Sequence, residues 1–406
     1  MPNPRLTPTS FLVWMTAIAV ISDSMLHPFY PQYFAEVFGV TSARTVGLYI
    51  ASCSLTVLAT FPLWARLSRR VPVIPLLVAT QLATAVLSLV CSRISWLPGF
   101  WVVSLVLMIG KASYLLIYPY VMSLQPKEKH LGTISLLALV VYFGNVLAAA
   151  LAGSIFEWLS PSDLFVAMAI GDVLQIGLCL WMLRGARELR EPAPVTEERT
   201  SLSRGFLLRL GAVMFVLYFC AYLPDPFFSS YWELRVASSS RFLSGMVFAL
   251  PAFAALAALA YDKLRPSAGG AYSGIITSTL VGMCALWLQA SGVSWLLLAG
   301  RFLFGWALFQ VMVRLDVLLF HHSHPDTYAV DFSKVNLFQG LGVLVASVSA
   351  GSLVSSFGMR VPFVVAACGF LLGVSLYVWL FRRELRAASA EPESPAPLVA
   401  NPGAVS

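Results

Sequence analysis

Long apolar runs recur along the whole chain and are separated by short polar segments. Each run is near or above the ~20 residues that cross ~30 Å of hydrocarbon as an α-helix. Short alternating segments, which are typical of membrane barrels, do not appear. The pattern predicts an all-α membrane protein with twelve transmembrane helices, spans 1 to 12, at residues 10–36, 43–65, 72–93, 97–121, 131–157, 163–184, 206–233, 242–262, 271–291, 294–320, 332–357 and 360–381.

The second half of the chain repeats features of the first half. Segment 27–34 in span 1 returns 198 positions later as segment 225–232 in span 7, with Pro, Phe and Tyr at matching places. The same offset relates a Gly-x3-Ala-x3-Ala stripe beginning at Gly144 in span 5 to one beginning at Gly342 in span 11. Such stripes let another helix backbone approach closely. We therefore expect parallel repeats related by an axis along the membrane normal.

One long polar interruption divides the apolar runs. Residues 185–205 carry several charges and prolines, which is typical of a linker. This predicts an N-terminal six-helix bundle over residues 1–184, a cytoplasmic linker over 185–205 and a C-terminal six-helix bundle over 206–386. Residues 387–406, rich in Ala, Pro and Ser, predict a disordered cytoplasmic tail.

Composition supports a membrane location. The chain is 59% hydrophobic and 11% charged, whereas soluble domains are nearer half apolar and a quarter charged. The net charge of +7 could suggest nucleic acid as a partner, but 16 of the 26 Lys and Arg lie in segments on the side of the N-terminus. This positive-inside bias predicts a multi-pass protein of the cytoplasmic (plasma or inner) membrane with both termini in the cytoplasm, and no nucleic-acid partner.

Two connections at equivalent places carry a family signature. Arg66, Arg69 and Arg70 lie between spans 2 and 3, and Asp262 and Lys263 lie between spans 8 and 9. Both copies resemble the major facilitator superfamily (MFS) loop pattern G-x-x-x-D-R-x-G-R-R, although the first copy lacks the acidic residue and the glycine. With twelve spans in two halves, the resemblance covers nearly the whole chain.

The resemblance implies the MFS fold, with two pseudo-symmetric six-helix bundles around a central cavity lined by spans 1, 4, 7 and 10. It also implies alternation between inward-open and outward-open states, with the loop motifs acting in that change. Span 10 carries Arg301 in an R-x-x-x-G-x-A pattern that the family usually has in its fourth span. Span 5 lacks the Gly-Pro pair of many antiporters in the family.

Ionisable residues occur at bilayer depth, where charges are costly and usually functional or paired. They are Asp23, Lys111, Asp172, Asp225 and Arg301. All except Asp172 lie on spans 1, 4, 7 and 10. Their depths pair Asp23 with Lys111 near the middle of the membrane and Asp225 with Arg301 in its outer part. The alternative for Asp23 and Lys111 is a static ion pair that holds helices together. For Asp225 and Arg301 it is a gate or a structural bridge, and we interpret Asp172 as structural.

Asp23 is our candidate proton carrier. A carboxylate in a low-dielectric cavity beside a lysine can change protonation state during a transport cycle. His27 lies four residues further on, hence on the same helix face, and could share or relay the proton. The alternative for His27 is a local role beside Pro28, which interrupts the helix.

Aromatic side chains crowd the same helices. Tyr and Trp combine an apolar ring with a polar group, which suits an amphipathic or ring-bearing solute, although lipid-facing positions are the alternative. Lys111 and Arg301 suggest that the solute carries an anionic group. The predicted substrate cavity comprises Lys111, Tyr114, Tyr118, Tyr222, Asp225, Arg301 and Trp306.

These features predict a secondary active transporter that moves a small organic solute across the bilayer by alternating access, coupled to protons. Efflux of an amphipathic metabolite, drug or siderophore is the favoured direction. The alternative is proton-linked uptake, or symport, of a carboxylated solute or siderophore. The sequence contains no Walker loop, nucleophile elbow or HExxH motif, and its cysteines have no metal-binding spacing. We therefore predict no enzymatic activity, cofactor or metal.

Overall fold

The apolar runs form helices in the computed structural model, which describes residues 8–68, 70–117, 120, 127–185, 203–236, 239–264, 271–323 and 328–390. These residues contain helices and no β-strand. A helix pairs its backbone N–H and C=O groups internally, as hydrocarbon requires. The α-helices are Pro8–Ser24, Tyr30–Phe38, Ala43–Leu67, Val73–Cys91, Leu97–Lys111, Lys127–Trp158, Asp163–Gly185, Arg204–Tyr222, Phe228–Arg235, Arg241–Phe248, Leu250–Leu264, Ala271–Ala290, Ser294–His322, Tyr328–Phe357, Val361–Leu380 and Arg382–Ala390.

Within the described residues, twelve helical segments are long and apolar enough to cross a membrane. The prediction of an all-α protein with twelve spans is therefore confirmed, and the predicted ends differ from the observed ones by only a few residues. Spans 1 to 12 are Ser10–Phe38, Ala43–Leu67, Val73–Cys91, Leu97–Leu116, Leu136–Trp158, Asp163–Leu183, Arg204–Arg235, Arg241–Asp262, Ser273–Ala290, Ser294–Leu319, Asp331–Phe357 and Val361–Leu380.

Many side chains on the surfaces of the spans are large, apolar and exposed. Leu82, Val102, Ile170 and Leu372 are all more than half exposed. In water such continuous apolar surface would favour aggregation, whereas lipid tails contact it without cost. The exposed surface of the helices is therefore suited to a bilayer.

Spans 1 and 7 are each interrupted at the same place in the repeat. The first α-helix of span 1 ends at Ser24, and a 3-10 turn at His27–Phe29 precedes the second. In span 7 the first α-helix ends at Tyr222, and a 3-10 turn at Asp225–Phe227 follows. Each turn contains a proline, which lacks a backbone N–H and clashes with the preceding turn of a helix. The repeated sequence thus produces a repeated break.

The chain forms two compact units. Unit 1 contains Met1–Glu197 together with Asp225–Ala249 and Ser347–Ser356, and unit 2 contains Glu198–Pro224, Leu250–Ala346 and Phe357–Ser406. The predicted domains at residues 1–184 and 206–386 follow the sequence repeat and stay a prediction.

Aromatic rings in tilted and edge-on contact form part of the core of unit 1. Ring centroids lie 5.6 Å apart for Tyr33 and Phe165, 4.9 Å apart for Phe34 and Tyr49, and 5.5 Å apart for Phe100 and Phe165. These rings connect spans 1, 2, 4 and 6. In unit 2, Phe304 of span 10 and Phe370 of span 12 are 5.8 Å apart between ring centroids.

The small-residue stripes allow close helix packing, as their spacing predicts. A Cβ atom on Gly144 of span 5 would lie 2.9 Å from Cγ1 of Val20 in span 1. A Cβ atom on Gly342 of span 11 would lie 2.7 Å from the carbonyl oxygen of Phe215 in span 7. In each half, the fifth helix therefore packs closely against the first. The alanines that follow in the two stripes are buried, namely Ala148, Ala152, Ala346 and Ala350.

Other glycines of unit 1 bring helices of the two sequence halves into backbone contact. A Cβ atom on Gly47 of span 2 would lie 2.9 Å from Cα of Gly351 in span 11. A Cβ atom on Gly153 of span 5 would lie 2.7 Å from Cα of Phe242 in span 8. Both contacts require the absence of a side chain. Spans 2 and 11, and spans 5 and 8, therefore meet in equivalent ways.

Candidate functional site

Lys111 bridges two carboxylates inside unit 1. Its Nζ atom lies 2.6 Å from Oδ1 of Asp23 and also donates a hydrogen bond to Oδ1 of Asp172. The three residues come from spans 4, 1 and 6. We call this group the carboxylate–lysine cluster.

Local helix structure helps to position two members of the carboxylate–lysine cluster. Asp23 lies one residue before the end of the first α-helix of span 1, and Lys111 is the last residue of the α-helix in span 4. A 3-10 turn, Ala112–Leu116, follows Lys111 directly. The carbonyl groups at a helix C-terminus favour a nearby cation. The ammonium group therefore gains from the helix end as well as from the two carboxylates.

The three side chains differ in their access to solvent. Asp172 is 0% exposed and Lys111 is 6% exposed, whereas Asp23 is 29% exposed. Asp23 is therefore the most exposed member of the carboxylate–lysine cluster. Among the described residues, Oδ2 of Asp172 has no hydrogen-bond partner. A buried carboxylate oxygen without a donor is costly while ionised, and protonation lowers that cost.

Neighbouring hydroxyl groups complete a polar layer around the carboxylate–lysine cluster. The Ser22 hydroxyl donates to Oδ1 of Asp23 at 3.2 Å. Thr84 of span 3 lies near Asp172 and donates its hydroxyl hydrogen to the carbonyl oxygen of Gln81 at 3.0 Å. Both Gln81 and Thr84 are buried. The cluster therefore lies among groups that can exchange hydrogen bonds when its charge changes.

The charges of the carboxylate–lysine cluster do not balance when both acids are ionised. One ammonium group faces two carboxylates, which leaves a net charge of −1 in a buried setting. Binding of a single proton makes the group neutral, and low-dielectric surroundings favour the neutral form. The cluster thus carries one more acid than base.

His27 lies in the 3-10 turn beyond the end of the helix that carries Asp23. Its ring centroid is 6.0 Å from that of Tyr30, and the side chain is exposed. In the described part of the chain no hydrogen bond joins His27 to Asp23. Because the helix ends at Ser24, His27 and Asp23 do not share the face of one regular helix. The relay role of His27 stays a prediction.

The predicted aromatic residues pack in separate pairs and clusters. Tyr114 packs against the apolar cluster of unit 1 that includes Phe11. In unit 2, Tyr222 stacks on Tyr218 with ring centroids 5.9 Å apart and an interplanar angle of 13°. Also in unit 2, Trp306 meets Tyr261 edge-on, with centroids 5.5 Å apart. Tyr118 lies outside the described residues. Their common role in a substrate cavity stays a prediction.

Asp225 and Arg301 belong to different units. Asp225 begins the 3-10 turn of span 7 in unit 1 and is partly buried. Arg301 lies in span 10 in unit 2, and it is 2% exposed. The predicted pairing of these two residues stays a prediction.

The first copy of the loop motif leaves its arginines on the surface. Arg66 and Arg70 are exposed, and Arg69 lies outside the described residues. Beside them, Nε1 of Trp64 donates to the carbonyl oxygen of Ile109 at 2.7 Å. This bond joins span 2 to span 4 in unit 1.

The second copy of the loop motif is bonded to span 10. Asp262 accepts hydrogen bonds from Nε2 of Gln310 at 3.1 and 2.9 Å, and Arg314 donates to the carbonyl oxygen of Gln310 at 3.0 Å. The side chain of Lys263 lies outside the described part of the structure. Sequence reasoning missed Gln310 and Arg314, although polar residues four positions apart in an apolar run indicate a shared helix face.

Asp172 is the main residue whose role the sequence left open. It stands nine residues beyond the first residue of span 6, about 14 Å along the helix at 1.5 Å per residue, which is well inside the membrane. The depth of Asp172 in the membrane could therefore have indicated that it is a member of the site. The structure places it in direct contact with Lys111, a contact that its interpretation as merely structural had not anticipated.

A second polar network joins helices of the two sequence halves within unit 1. Nη2 of Arg241 lies 2.7 Å from Oε1 of Glu36, and Nη1 donates to Glu233. Gln32 donates to Glu233 at 3.3 Å, and Glu157 accepts from the backbone N–H of Phe242 at 2.9 Å. We call these contacts the Arg241 network. It connects spans 1, 5, 7 and 8 at the end where span 1 leads into span 2.

Comparison with known sequences gives one family and one curated relative. The sequence pattern of the Major Facilitator Superfamily matches residues 12–269. The human protein Solute carrier family 67 member A1 is 26% identical over 91 residues, which are 22% of this chain and 22% of that protein. The match thus spans about a fifth of the curated relative.

Solved structures of transporters share the fold. The human organic anion transporter MFSD10 (TETRAN) is 16% identical, with a TM-score of 0.68 over 92% of this chain and 100% of that chain. The POT family transporter PepTSo is 11% identical, with a TM-score of 0.75 over 95% and 99% of the two chains. A bacterial homologue of the human lysosomal transporter Spinster is 13% identical, with a TM-score of 0.72 over 96% and 98%. At these identities the likeness is one of fold alone.

Proposed function

This chain belongs to the Major Facilitator Superfamily, which makes it a multi-pass membrane transporter rather than an enzyme, and we propose that it couples the movement of a small organic solute to protons. We further propose that the carboxylate–lysine cluster carries the coupled proton. Asp23 exchanges this proton with solvent, and Asp172 shares Lys111 with Asp23. His27 relays the proton in this proposal. The protein lies in the cytoplasmic membrane with both termini in the cytoplasm.

One observation supports this proposal above the others, namely that Lys111 contacts both carboxylates. A lysine paired with a single acid forms a neutral unit that has no need of a proton. A group of one lysine and two acids has no net charge only when one of the acids is protonated. The cluster therefore has two states that differ by one proton and by one unit of charge.

Protonation of Asp23 would also change how the helices are held together. The ion pair between Asp23 and Lys111 joins span 1 to span 4, and the pair between Lys111 and Asp172 joins span 4 to span 6. A neutral Asp23 holds the ammonium less strongly, so Lys111 remains with Asp172. Proton binding shifts the equilibrium between the inward-open and outward-open states if the proton binds more tightly to one of them, and the size of the shift equals that difference in affinity. This links proton binding to the alternation of the transporter.

Efflux of an amphipathic metabolite, drug or siderophore is the direction that we propose first. Because Lys111 is neutralised by two carboxylates, it offers little attraction to an anionic solute. The stacked pair Tyr218 and Tyr222 offers an aromatic surface in span 7, and Tyr222 is 40% exposed. Aromatic rings with a hydroxyl group suit a solute that has both apolar and polar parts.

Proton-linked uptake of a carboxylated solute or siderophore is the second candidate. Arg301 favours it, because a guanidinium group in the membrane part of span 10 is suited to a carboxylate. In this candidate the anionic group of the solute binds to Arg301 in unit 2.

Transport into proteoliposomes under an imposed pH gradient tests both candidates. A panel of amphipathic cations, carboxylates and siderophores is offered to vesicles with an acidic lumen or an acidic exterior. Antiport predicts accumulation of the solute when the lumen is acidic, and symport predicts accumulation when the exterior is acidic. Asp163→Asn is the matched control for Asp172→Asn, because both residues lie on span 6. Among the described residues, the Asp163 side chain accepts a hydrogen bond only from the backbone N–H of Ser160. Uptake by the wild-type protein that is insensitive to the gradient would contradict proton coupling.

A further inference from the structure

Spans 9 and 12 enclose an apolar groove in unit 2. Its volume is about 490 Å³. Side chains of span 9 form one wall, and side chains of span 12 form the other. A single arginine stands at the end of the groove. The residues that define it are Ile276, Leu280, Val374, Val378, Trp379 and Arg382.

The walls of the groove are suited to hydrocarbon. Leu280, Val378 and Trp379 are exposed and lie in membrane spans, so the groove opens towards lipid. The hydroxyl of Ser375 also lines the groove, but it donates to the carbonyl oxygen of Leu371 at 2.8 Å. The walls therefore present no hydroxyl that requires water. An apolar space beside lipid gains dispersion contacts when an acyl chain fills it.

The depth of the groove matches the upper part of a lipid tail. Leu280 lies seven residues beyond Ser273, the first residue of span 9. Val374 lies six residues before Leu380, the last residue of span 12. At 1.5 Å per helical residue, the groove extends about 10 Å from this end into the hydrocarbon. The exposed Arg382 follows the last residues of span 12, which is where headgroups lie.

Arg209 holds the chain on both sides of Arg382 and pairs with the neighbouring acid. Arg209 of span 7 donates to the carbonyl oxygen of Leu380 at 3.0 Å, and its guanidinium lies 5.2 Å from the ring centroid of Phe381. The same arginine pairs with Glu384 at 2.9 Å. Glu384 is thus neutralised by Arg209. The positive charge of Arg382 therefore remains available at the end of the groove.

We propose that this groove binds an anionic phospholipid, with one acyl chain between spans 9 and 12 and the phosphate on Arg382. A guanidinium group can donate two parallel hydrogen bonds to a phosphate. The occupant must combine a hydrocarbon chain with an anionic headgroup, because the groove combines apolar walls with an exposed cation at its end. The site is independent of the transported solute.

Native mass spectrometry of the full chain in detergent tests this site with phosphatidylglycerol and phosphatidylcholine. The wild-type protein should retain phosphatidylglycerol in preference to phosphatidylcholine. Arg382→Gln should lower the retention of phosphatidylglycerol about fivefold, because one arginine near a membrane surface contributes that much to the binding of anionic lipid. Arg382→Lys should restore part of the retention. Inorganic phosphate should not displace the lipid, and displacement would indicate a simple anion site and overturn the proposal.

Arg383→Gln is the matched control, because it removes the same charge one residue further on without touching the groove. Its retention of phosphatidylglycerol should equal that of the wild type. Equal losses in Arg382→Gln and Arg383→Gln would indicate general surface charge and overturn the site. Ser375→Phe fills the groove without changing any charge and should also lose the lipid, with an unchanged melting temperature as evidence of folding. Full retention by a folded Ser375→Phe protein would overturn the acyl-chain part of the proposal.

Discussion

Lys111 lies between two acids, the partly exposed Asp23 and the buried Asp172, which would repel each other without it. The lysine is 6% exposed and Asp172 is 0% exposed, so water screens their interaction only weakly. A buried ion pair does not always stabilise a fold, but removal of one partner leaves an uncompensated charge. The contribution of Lys111 to stability therefore depends on the presence of both acids.

Replacement of this lysine tests that dependence. We expect Lys111→Gln to lower the free energy of unfolding by about 3–5 kcal/mol, since two acids then remain without their cation. Lys111→Gln combined with Asp172→Asn should recover part of this loss, because one of the two acids is gone. Thermal unfolding of the protein in detergent, followed by tryptophan fluorescence, measures both effects.

Arg383→Gln provides the control for the stability measurement. Arg383 is exposed beyond the end of span 12, so the change should stay within about 0.5 kcal/mol. A double variant that melts no higher than Lys111→Gln alone would contradict the proposed balance of charge among Asp23, Lys111 and Asp172.

Single residues show what depth along a helix can and cannot predict. Asp23 and Lys111 lie at similar depths, and the structure brings them together. Asp172 also lies well inside the membrane on span 6, but depth does not say which face of a helix turns inward. That face is set by packing with neighbouring helices, which one sequence does not reveal. For His27, the 3-10 turn replaces the regular helix on which the predicted shared face depended.

At the level of helices, the 198-residue repeat extends to small structural details. Ser42 caps the helix of span 2 by accepting from the N–H of Thr45, and Ser240 caps the helix of span 8 by accepting from the N–H of Leu243. Serine is a preferred N-cap residue because its hydroxyl satisfies a free N–H of the first turn. Such local features follow from the sequence alone and could be predicted in both halves.

The contact between spans 2 and 11 provides a test at the level of helices. A Cβ atom on Gly351 would lie 2.6 Å from the carbonyl oxygen of Ala43, so Gly351→Leu must push these helices apart. If the contact has to re-form in every transport cycle, solute transport should fall about tenfold, as expected for an overpacked interface. Initial uptake rates in proteoliposomes measure this effect.

Gly177→Leu is the matched control for this change. No atom lies within 4 Å of a Cβ on Gly177, and the residue is exposed on span 6. Its transport rate should equal that of the wild type. Wild-type rates in Gly351→Leu would show that the close contact between spans 2 and 11 is not needed for transport.

The partners of these glycines were beyond prediction from the sequence. The spacing of small residues indicated a close approach in spans 5 and 11, and both stripes do pack against another helix. Nothing in the spacing indicates that Gly47 meets Gly351. Helix partners depend on how complete side-chain surfaces fit together.

At the scale of the whole molecule, the fold was the most predictable feature. The thickness of a bilayer fixes the length of a spanning helix, so apolar runs give both the number and the positions of the spans. The repeat and the loop motifs then indicated the family, which the family match confirms. The association of residues 225–249 and 347–356 with the first six spans could not be predicted, because it depends on contacts between distant parts of the chain.

The Arg241 network suits a contact that breaks and re-forms. Its charged side chains are between 20% and 37% exposed, so solvent screens their ion pairs. Exposed pairs contribute roughly 0–1 kcal/mol each. The network can therefore hold the ends of spans 1, 7 and 8 together and still open during a transport cycle. In our proposal the carboxylate–lysine cluster, in contrast, changes state by taking up a proton.

The movement of protons with solute tests the central claim most directly. Proteoliposomes that contain a pH-sensitive dye are supplied with a transported solute in the absence of an imposed gradient. The wild-type protein should change the pH of the lumen as the solute moves, and Asp163→Asn should do the same. Asp23→Asn and Asp172→Asn should abolish the pH change while solute binding remains. Solute movement by the wild type without any pH change, or an undiminished pH change with Asp23→Asn, would contradict the account.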